Sequence, residues 1–130
     1  MYLATLSQVQ KEAFICLAHN VVVSDGDLAP GEKEMMDAMR REMSLSREIE
    51  AHYMPIEGTA DIFDTRRSRA IVIMSLVRLS YADGAFEIEE RCFLDDLRKA
   101  FDISDDEFEE IQAWVRRLVA LEHDAEALLA

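Results

Sequence analysis

The sequence contains few of the residues that interrupt helices, with two prolines and four glycines in 130 residues. Proline breaks helices and strands in their interiors and glycine weakens both, so their scarcity favours long helices over short strands joined by turns. No segment shows a convincing strand pattern, whereas apolar residues recur at helical spacing. We therefore expect an all-α fold of about seven helices.

The sequence also lacks a long apolar run. The best candidate, residues 70–79, is short and contains Arg78, whereas a membrane-spanning helix needs about 20 apolar residues. Residues 1–6 have neither the basic region nor the apolar run of a signal peptide. We expect a cytoplasmic protein with no direct membrane insertion.

Basic residues are scarce, with 14 Lys and Arg against 27 Asp and Glu, giving a formal net charge of −13. A chain of this charge is repelled by nucleic acid and by anionic membrane surfaces, so neither is expected as a partner. Cations and basic protein surfaces are the partners that this charge favours. Solubility alone is the other explanation of the charge.

Catalytic motifs are missing. Cys16 and Cys92 form no CxxC and no zinc-ligand spacing, and HExxH, GxSxG and GxGxxG do not occur. His19 lies three residues after Cys16 on a predicted helix, but nothing else supports a nucleophilic pair. An EF-hand loop starting at Asp25 would place Met36 where a glutamate is needed. We expect a non-enzymatic protein.

Two segments of the chain match each other. Residues 13–46 and 71–104 align without gaps at a shift of 58 residues. The seven identical pairs are Ile15/Ile73, Asp25/Asp83, Gly26/Gly84, Glu32/Glu90, Asp37/Asp95, Arg40/Arg98 and Ser46/Ser104. We interpret the match as an internal duplication within one domain, residues 1–130, with halves at about 8–53 and 66–121 related by a pseudo-two-fold axis.

Each half is predicted to form a helix, an Asp-Gly turn and a second helix. Gly26 and Gly84 suit the left-handed position that ends a helix, and the second helix of the first half should begin near Pro30. Downstream, Ser104 and Glu107 predict a capping box. The same pattern predicts a hydrophobic staple between Ile103 and Phe108, and a short final helix capped by Asp124.

The repeated acids are the candidate site. Asp25 and Asp83 end helices at the negative pole, where a carboxylate costs about 0.3–1 kcal/mol. Glu32 and Glu90 fall in the first turn of the next helix, where the dipole favours negative charge. The four acids either cap turns and helices or converge in pairs on a hard cation such as calcium or magnesium. Asp27 is a secondary candidate ligand.

Two quoted stretches carry a family resemblance. "SDGDLAPGEKEMM" (residues 24–36) and "YADGAFEIEERCFL" (residues 81–94) each contain A/S-D-G with a glutamate seven residues after the aspartate. Together with the duplicated helical layout, they make the chain resemble the tellurite-resistance TerB-like family. That family is in turn similar to the N-terminal domain of membrane-anchored DnaJ-like co-chaperones.

The resemblance implies an all-helical, pseudo-symmetric TerB-like domain in which Asp25, Glu32, Asp83 and Glu90 bind metal. It also implies a role in bacterial stress or tellurite response beside a membrane protein, with peripheral attachment to the inner membrane through that partner. The two Asp-Gly corners, one in each half of the chain, are not equivalent, because Asp27 in the first aligns with Ala85 in the second.

Two functions follow as expectations. The first is a module that binds or senses a divalent cation. The alternative is a protein-interaction adaptor, recruited to a membrane or chaperone complex, in which the acids have no metal role. Arg66, Arg67 and Arg69 form one basic cluster, which is either the solvated start of a helix or a docking site for an acidic partner.

Overall fold

The computed structural model describes residues 1–23, 30–82 and 88–130. A 3-10 helix at Leu3–Thr5 precedes six α-helices. These are α1 (Gln8–Val23), α2 (Pro30–Met43), α3 (Thr59–Ile62), α4 (Arg66–Ser80), α5 (Ile88–Ala100) and α6 (Asp105–Leu129). No strand occurs in these three ranges, so the all-α prediction is confirmed, and the number of helices is close to the expected seven.

Helices α1 and α4 form the centre of the molecule. They pack against each other, and α4 also contacts α2, α5 and α6. Both bury nearly continuous apolar stretches, residues 13–18 in α1 and residues 71–73 and 75–77 in α4. Full burial of a large apolar side chain contributes roughly 1.5–3 kcal/mol, so these two helices supply much of the driving force for folding.

Helices α2 and α5 are amphipathic and cover the central pair. In α2 the side chains of Met39 and Met43 are buried, and in α5 those of Leu94 and Leu97 are buried. Helix α2 begins at Pro30, as predicted, because the fixed φ of proline suits the first helical position and its missing N–H is not needed there.

The C-terminal ends of α2 and α5 have the same geometry. A residue just beyond each helix has positive φ: 53° at Ser44, directly after α2, and 59° at Asp102, the second residue after α5. The next amide donates to the carbonyl five residues earlier, at 3.0 Å from Leu45 and at 2.9 Å from Ile103. Leu45 and Ile103 are both buried, which completes the Schellman motif that satisfies the last carbonyls of a helix.

The start of α6 departs in one respect from its predicted capping box. The Ser104 hydroxyl accepts from the Glu107 amide at 3.2 Å, as expected. The Glu107 carboxylate, however, pairs with Arg66 at 2.7 Å, and the Ser104 cap has only the one bond. Ile103 and Phe108, the predicted staple, are both buried.

The end of α6 is a correction. The helix continues without interruption from Asp105 to Leu129, so the separate final helix capped by Asp124 is wrong. Ser and Asp cap helices only where the chain turns, and at Asp124 it does not turn. Residues 121–130 are exposed, so the last part of α6 extends beyond the packed body.

The basic cluster holds the connection between α3 and α4 in place. Arg69 donates to the carbonyls of Phe63, Ala60 and Phe101 at 2.6, 2.9 and 3.2 Å. The guanidinium of Arg67 lies 5.6 Å from the centre of the Tyr2 ring. With Arg66 paired to Glu107, all three arginines contact the chain itself, in keeping with the helix-start interpretation.

Candidate functional site

Glu32 and Glu90 occupy matching positions in the structure. Each is the third residue of its helix, α2 or α5, so the predicted placement in a first turn is correct. Both side chains point into the protein, with 5% of Glu32 and 3% of Glu90 exposed. Both also take part in a polar or electrostatic interaction. The first turn favours a carboxylate there, since its amides and the helix dipole carry positive partial charge.

Such burial is uncommon for glutamate. Lys, Glu, Arg and Asp are almost never fully buried unless they are paired, because an ionised group loses its hydration in the interior. Two glutamates buried at the same helix position therefore mark both helix starts as buried polar sites.

The remaining predicted ligands, Asp25, Asp27 and Asp83, lie outside the described residues. Within residues 1–23, 30–82 and 88–130, no group of three or more His, Cys, Asp and Glu is arranged to hold a metal ion. The described carboxylates alone therefore make no complete cation site, and a site that includes Glu32 or Glu90 would need further ligands such as the aspartates of the two Asp-Gly dipeptides.

Cys16 contacts a histidine that sequence spacing did not predict. Its Sγ lies 3.7 Å from Nδ1 and 3.9 Å from Nε2 of His52, whereas the predicted neighbour was His19. Cys16 itself is buried and Cys92 is exposed. The two nitrogens are nearly equidistant from the sulfur, so neither ring nitrogen points directly at it, as the nitrogen of a base that activates a nucleophile would.

A methionine-rich groove runs between α2 and α6 over α4. A cleft of about 190 Å³ occupies its centre, and a second cleft of about 450 Å³ continues it through shared residues Met35, Ala38, Arg78 and Glu122. We call this feature the α2–α6 groove. Its apolar surface is formed by Leu3, Met35, Met39, Met74, Trp114 and Leu118.

Carboxylates dominate the rim of the α2–α6 groove. Four glutamates and two arginines line the two clefts: Glu34, Glu42, Glu122, Glu126, Arg41 and Arg78. Arg78 pairs with Glu122 at 2.9 Å, and the terminal ammonium of Met1 pairs with Glu42 at 2.8 Å, so two of the four glutamates are neutralised. The remaining rim charge is negative, in line with the chain as a whole.

A further cleft, of about 480 Å³, lies beside α1 and α5. Asn20 is buried, donates to the Met54 carbonyl at 2.6 Å and accepts from the Met54 amide at 3.2 Å. The cleft there is lined by Asn20, Val23 and Phe93 on one side and by the segment around Tyr53 and Ile56 on the other. Asn20 therefore fixes the α2–α3 connection against α1.

Comparison with protein-family models, with curated proteins and with solved structures found no significant match. In the part of the chain that the structure describes, no helix combines the length and the apolar character needed to cross a bilayer.

Sequence reasoning missed the groove and two partly buried long-range contacts. The groove depends on how three helices pack, which periodicity does not fix. A usable signal was the count of seven methionines, since flexible methionine side chains are frequent at adaptable binding surfaces. The Cys16–His52 and Asn20–Met54 contacts join residues 36 and 34 positions apart, and no local pattern marks them.

Proposed function

We propose that this chain is a non-enzymatic module that binds or senses a divalent cation at its Asp-Gly corners. The observation that supports the proposal is the burial of Glu32 and Glu90 at the same position of α2 and α5. A cation next to a buried carboxylate offsets the lost hydration, and oxygen ligands suit calcium and magnesium. Asp25 and Asp83 would supply the second carboxylate of each corner, with Asp27 as an additional ligand at the first.

The proposal includes the internal duplication and its pseudo-two-fold axis. Its support is the repetition, at a shift of 58 residues, of the buried glutamates and of the Schellman motifs at Ser44 and Asp102. A duplicated corner gives two candidate sites that differ in charge, because Asp27 has no acidic counterpart. The first corner should therefore bind a cation more tightly than the second.

A second function is that of an adaptor for a protein partner, with acids that only shape turns. The observation that favours it is the α2–α6 groove, which presents methionine and tryptophan side chains at the surface. A link to stress or tellurite response, a cytoplasmic location and attachment to the inner membrane through a partner rest on the sequence and its family resemblance.

Titration of the metal-free protein with calcium or magnesium chloride tests the cation proposal. Thermal unfolding should shift upward, and a hundredfold excess over the dissociation constant corresponds to about 2.7 kcal/mol of stabilisation. Asp25→Asn and Asp83→Asn, singly and together, should remove this response while the metal-free stability holds or rises, because repulsion between carboxylates is relieved.

Glu32→Gln and Glu90→Gln extend the test to residues that the structure describes. Each keeps the shape of the side chain and removes its charge, so each should weaken the cation response of its own corner. Glu34→Gln, at an exposed position of the same helix as Glu32, is the matched control and should respond as the parent does. If the thermal unfolding of the parent protein shifts equally in sodium chloride and in calcium chloride at the same ionic strength, the proposal is wrong, and the acids serve only to shape the turns and helix starts.

A further inference from the structure

The α2–α6 groove has walls and a floor made of helices. Helix α4 packs against both α2 and α6, and the floor between them includes Met74 and Ser75. Met35 and Met39 come from one wall, and Trp114 and Leu118 come from the other. A trough between two helices that both pack on a third suits a further helix, because helices pack side by side at about 8–10 Å between axes.

The composition of the groove argues against a small-molecule pocket. Its apolar cleft measures about 190 Å³ and the adjoining cleft of about 450 Å³ is bordered by charged side chains, whereas ligand pockets of about 300–1,000 Å³ are lined mainly by apolar side chains. The cleft can take one or two apolar side chains, and the adjoining polar cleft extends the groove along α6. An elongated trough with one apolar centre matches a segment that inserts anchor side chains along one face.

A second cleft is lined by residues at matching sequence positions. Arg78, Tyr81 and Met35 line the α2–α6 groove. At the shift of 58 residues they correspond to Asn20, Val23 and Phe93, which line a cleft of about 480 Å³. The backbone of Met54 is hydrogen-bonded to Asn20 beside that cleft, so a segment of the chain itself lies against this surface.

The charge of the groove rim determines whether an acidic or a basic segment is attracted. After the Arg78–Glu122 pair and the pair between the terminal ammonium of Met1 and Glu42, the rim retains Glu34 and Glu126 against Arg41. The whole chain carries −13, so a basic segment is attracted from a distance and an acidic one is repelled.

We propose that the α2–α6 groove binds a basic amphipathic helix of a partner protein, with apolar side chains against Met35, Met74 and Trp114 and basic side chains against the glutamate rim. This inference develops the adaptor function and is independent of cation binding. A second copy of the chain is disfavoured as occupant, since its exposed helical surface at residues 121–130 carries acids and no Lys or Arg.

The test uses the full chain and a synthetic peptide of leucine and lysine, about 18 residues or roughly five helical turns long, with all leucines on one face. Trp114 is the only tryptophan of the chain and lies in the groove, so its fluorescence reports binding directly. We expect a saturable shift of its emission to shorter wavelength. Amide chemical shifts should change at Met35, Ala38 and Ser75.

Two variants probe the groove itself. Ala38→Phe fills it at a half-buried position and should abolish saturable binding. Glu34→Lys with Glu126→Lys reverses part of the rim and should weaken binding by about fivefold or more, as expected for two lost surface charge pairs. Glu48→Lys with Glu50→Lys, at exposed positions outside the groove, makes the same change in net charge and should weaken binding far less.

Two peptide controls separate specific from general attraction. A scrambled peptide of the same composition has leucines on all faces, and a peptide with glutamate in place of lysine has the wrong sign; neither should shift Trp114. The proposal is overturned if either control peptide binds as well as the leucine–lysine peptide, if the amide chemical shifts of the groove residues do not change, or if Ala38→Phe binds the peptide as the parent does.

Failure of the leucine–lysine peptide to bind would also refute a basic helix as the occupant. If the Trp114 fluorescence changes with protein concentration in the absence of peptide, the occupant is a second copy of the chain instead. None of these outcomes bears on the response to calcium or magnesium.

Discussion

At the scale of single residues, Arg98 joins the end of α5 to the start of α6. Only 9% of it is exposed. Its guanidinium donates to Asp95 at 2.9 Å and to the Ile103 carbonyl at 3.2 Å, pairs with Asp105, and lies 5.8 Å from the centre of the Phe108 ring. The planar fork of arginine can serve these acceptors together, which a lysine ammonium cannot.

We expect Arg98→Leu to lower the free energy of unfolding by about 2–3 kcal/mol, because it removes charge-assisted bonds from a nearly buried group. The matched variant is Arg40→Leu. Arg40 lies 58 residues earlier and donates to the carbonyls of Ser46 and Ile49 at 3.4 and 2.8 Å, so its loss should cost about 1 kcal/mol. Urea unfolding measures both, and equal losses would contradict the assignment.

Asp95 is the residue with a clear pH signature. A hydrogen bond from Lys99, and then one from Arg98, hold the pKa of its carboxyl below the ordinary value. A carboxyl whose pKa is lower in the folded state stabilises the fold at pH values above its unfolded pKa. That contribution is lost as the pH falls through the folded pKa.

Asp95→Asn should therefore destabilise the protein at neutral pH by about 0.2–1 kcal/mol, the range for exposed pairs. The gap between variant and parent should close as the pH falls below about 4. Urea unfolding at a series of pH values provides the measurement. The control is Asp96→Asn, at an exposed neighbouring position, for which we expect no difference in stability from the parent. If the difference between Asp95→Asn and the parent persists in acid, the charge of Asp95 is not its cause.

At the scale of elements, the residues in left-handed conformation after α2 and α5 are not the most stable choice for their positions. Both Ser44 and Asp102 have positive φ and exposed side chains, and glycine is the usual residue at such a position. We expect Ser44→Gly to raise stability by about 0.5–1 kcal/mol and Asp102→Gly by less, because aspartate tolerates this conformation better.

Ala100→Gly is the control for these glycine substitutions. Residue 100 is the last residue of α5, so glycine there should lower stability by up to about 0.5–1 kcal/mol. Thermal and urea unfolding should therefore show higher stability for Ser44→Gly and Asp102→Gly, which lie beyond their helices, and lower stability for Ala100→Gly, which lies inside α5. The same sign at all three positions would mean that backbone strain does not govern these turns.

The elements also show what the sequence could and could not predict. Pro30 at the start of α2 and the first-turn positions of Glu32 and Glu90 follow from local rules. The turns at Ser44 and Asp102 do not, because neither residue demands positive φ. The length of α6 was missed because an aspartate inside an exposed helix and an N-cap aspartate look alike in sequence.

The candidate site was only partly accessible to such reasoning. A repeated glutamate position can be read from the sequence, but its burial depends on how α2 and α5 pack on the central helices. The α2–α6 groove depends on tertiary packing even more, since its surface combines residues as far apart as Leu3 and Leu118. Periodicity indicates which residues face inward, but not where two neighbouring helices leave a gap.

At the scale of the whole molecule, residues 121–130 should be dispensable for folding. They are exposed, and their ion pair with the body is Arg78–Glu122. A chain ending at Ala120 should melt cooperatively, with a midpoint about 1–4 °C lower. Glu122→Gln in the full chain should reproduce most of that decrease, and a non-cooperative transition of the shortened chain would show that the segment belongs to the core.

The length of α6 has a hydrodynamic consequence. Its exposed last part, residues 121–129, extends about 14 Å at 1.5 Å per residue, which is as long as the radius of gyration of about 14 Å expected for a compact domain of this size. The molecule should therefore rotate more slowly end over end than about the long axis of α6. Amide N–H vectors lie along their helix axes, so ¹⁵N transverse relaxation should be faster in α6 than in helices steeply inclined to it, even where both are equally rigid.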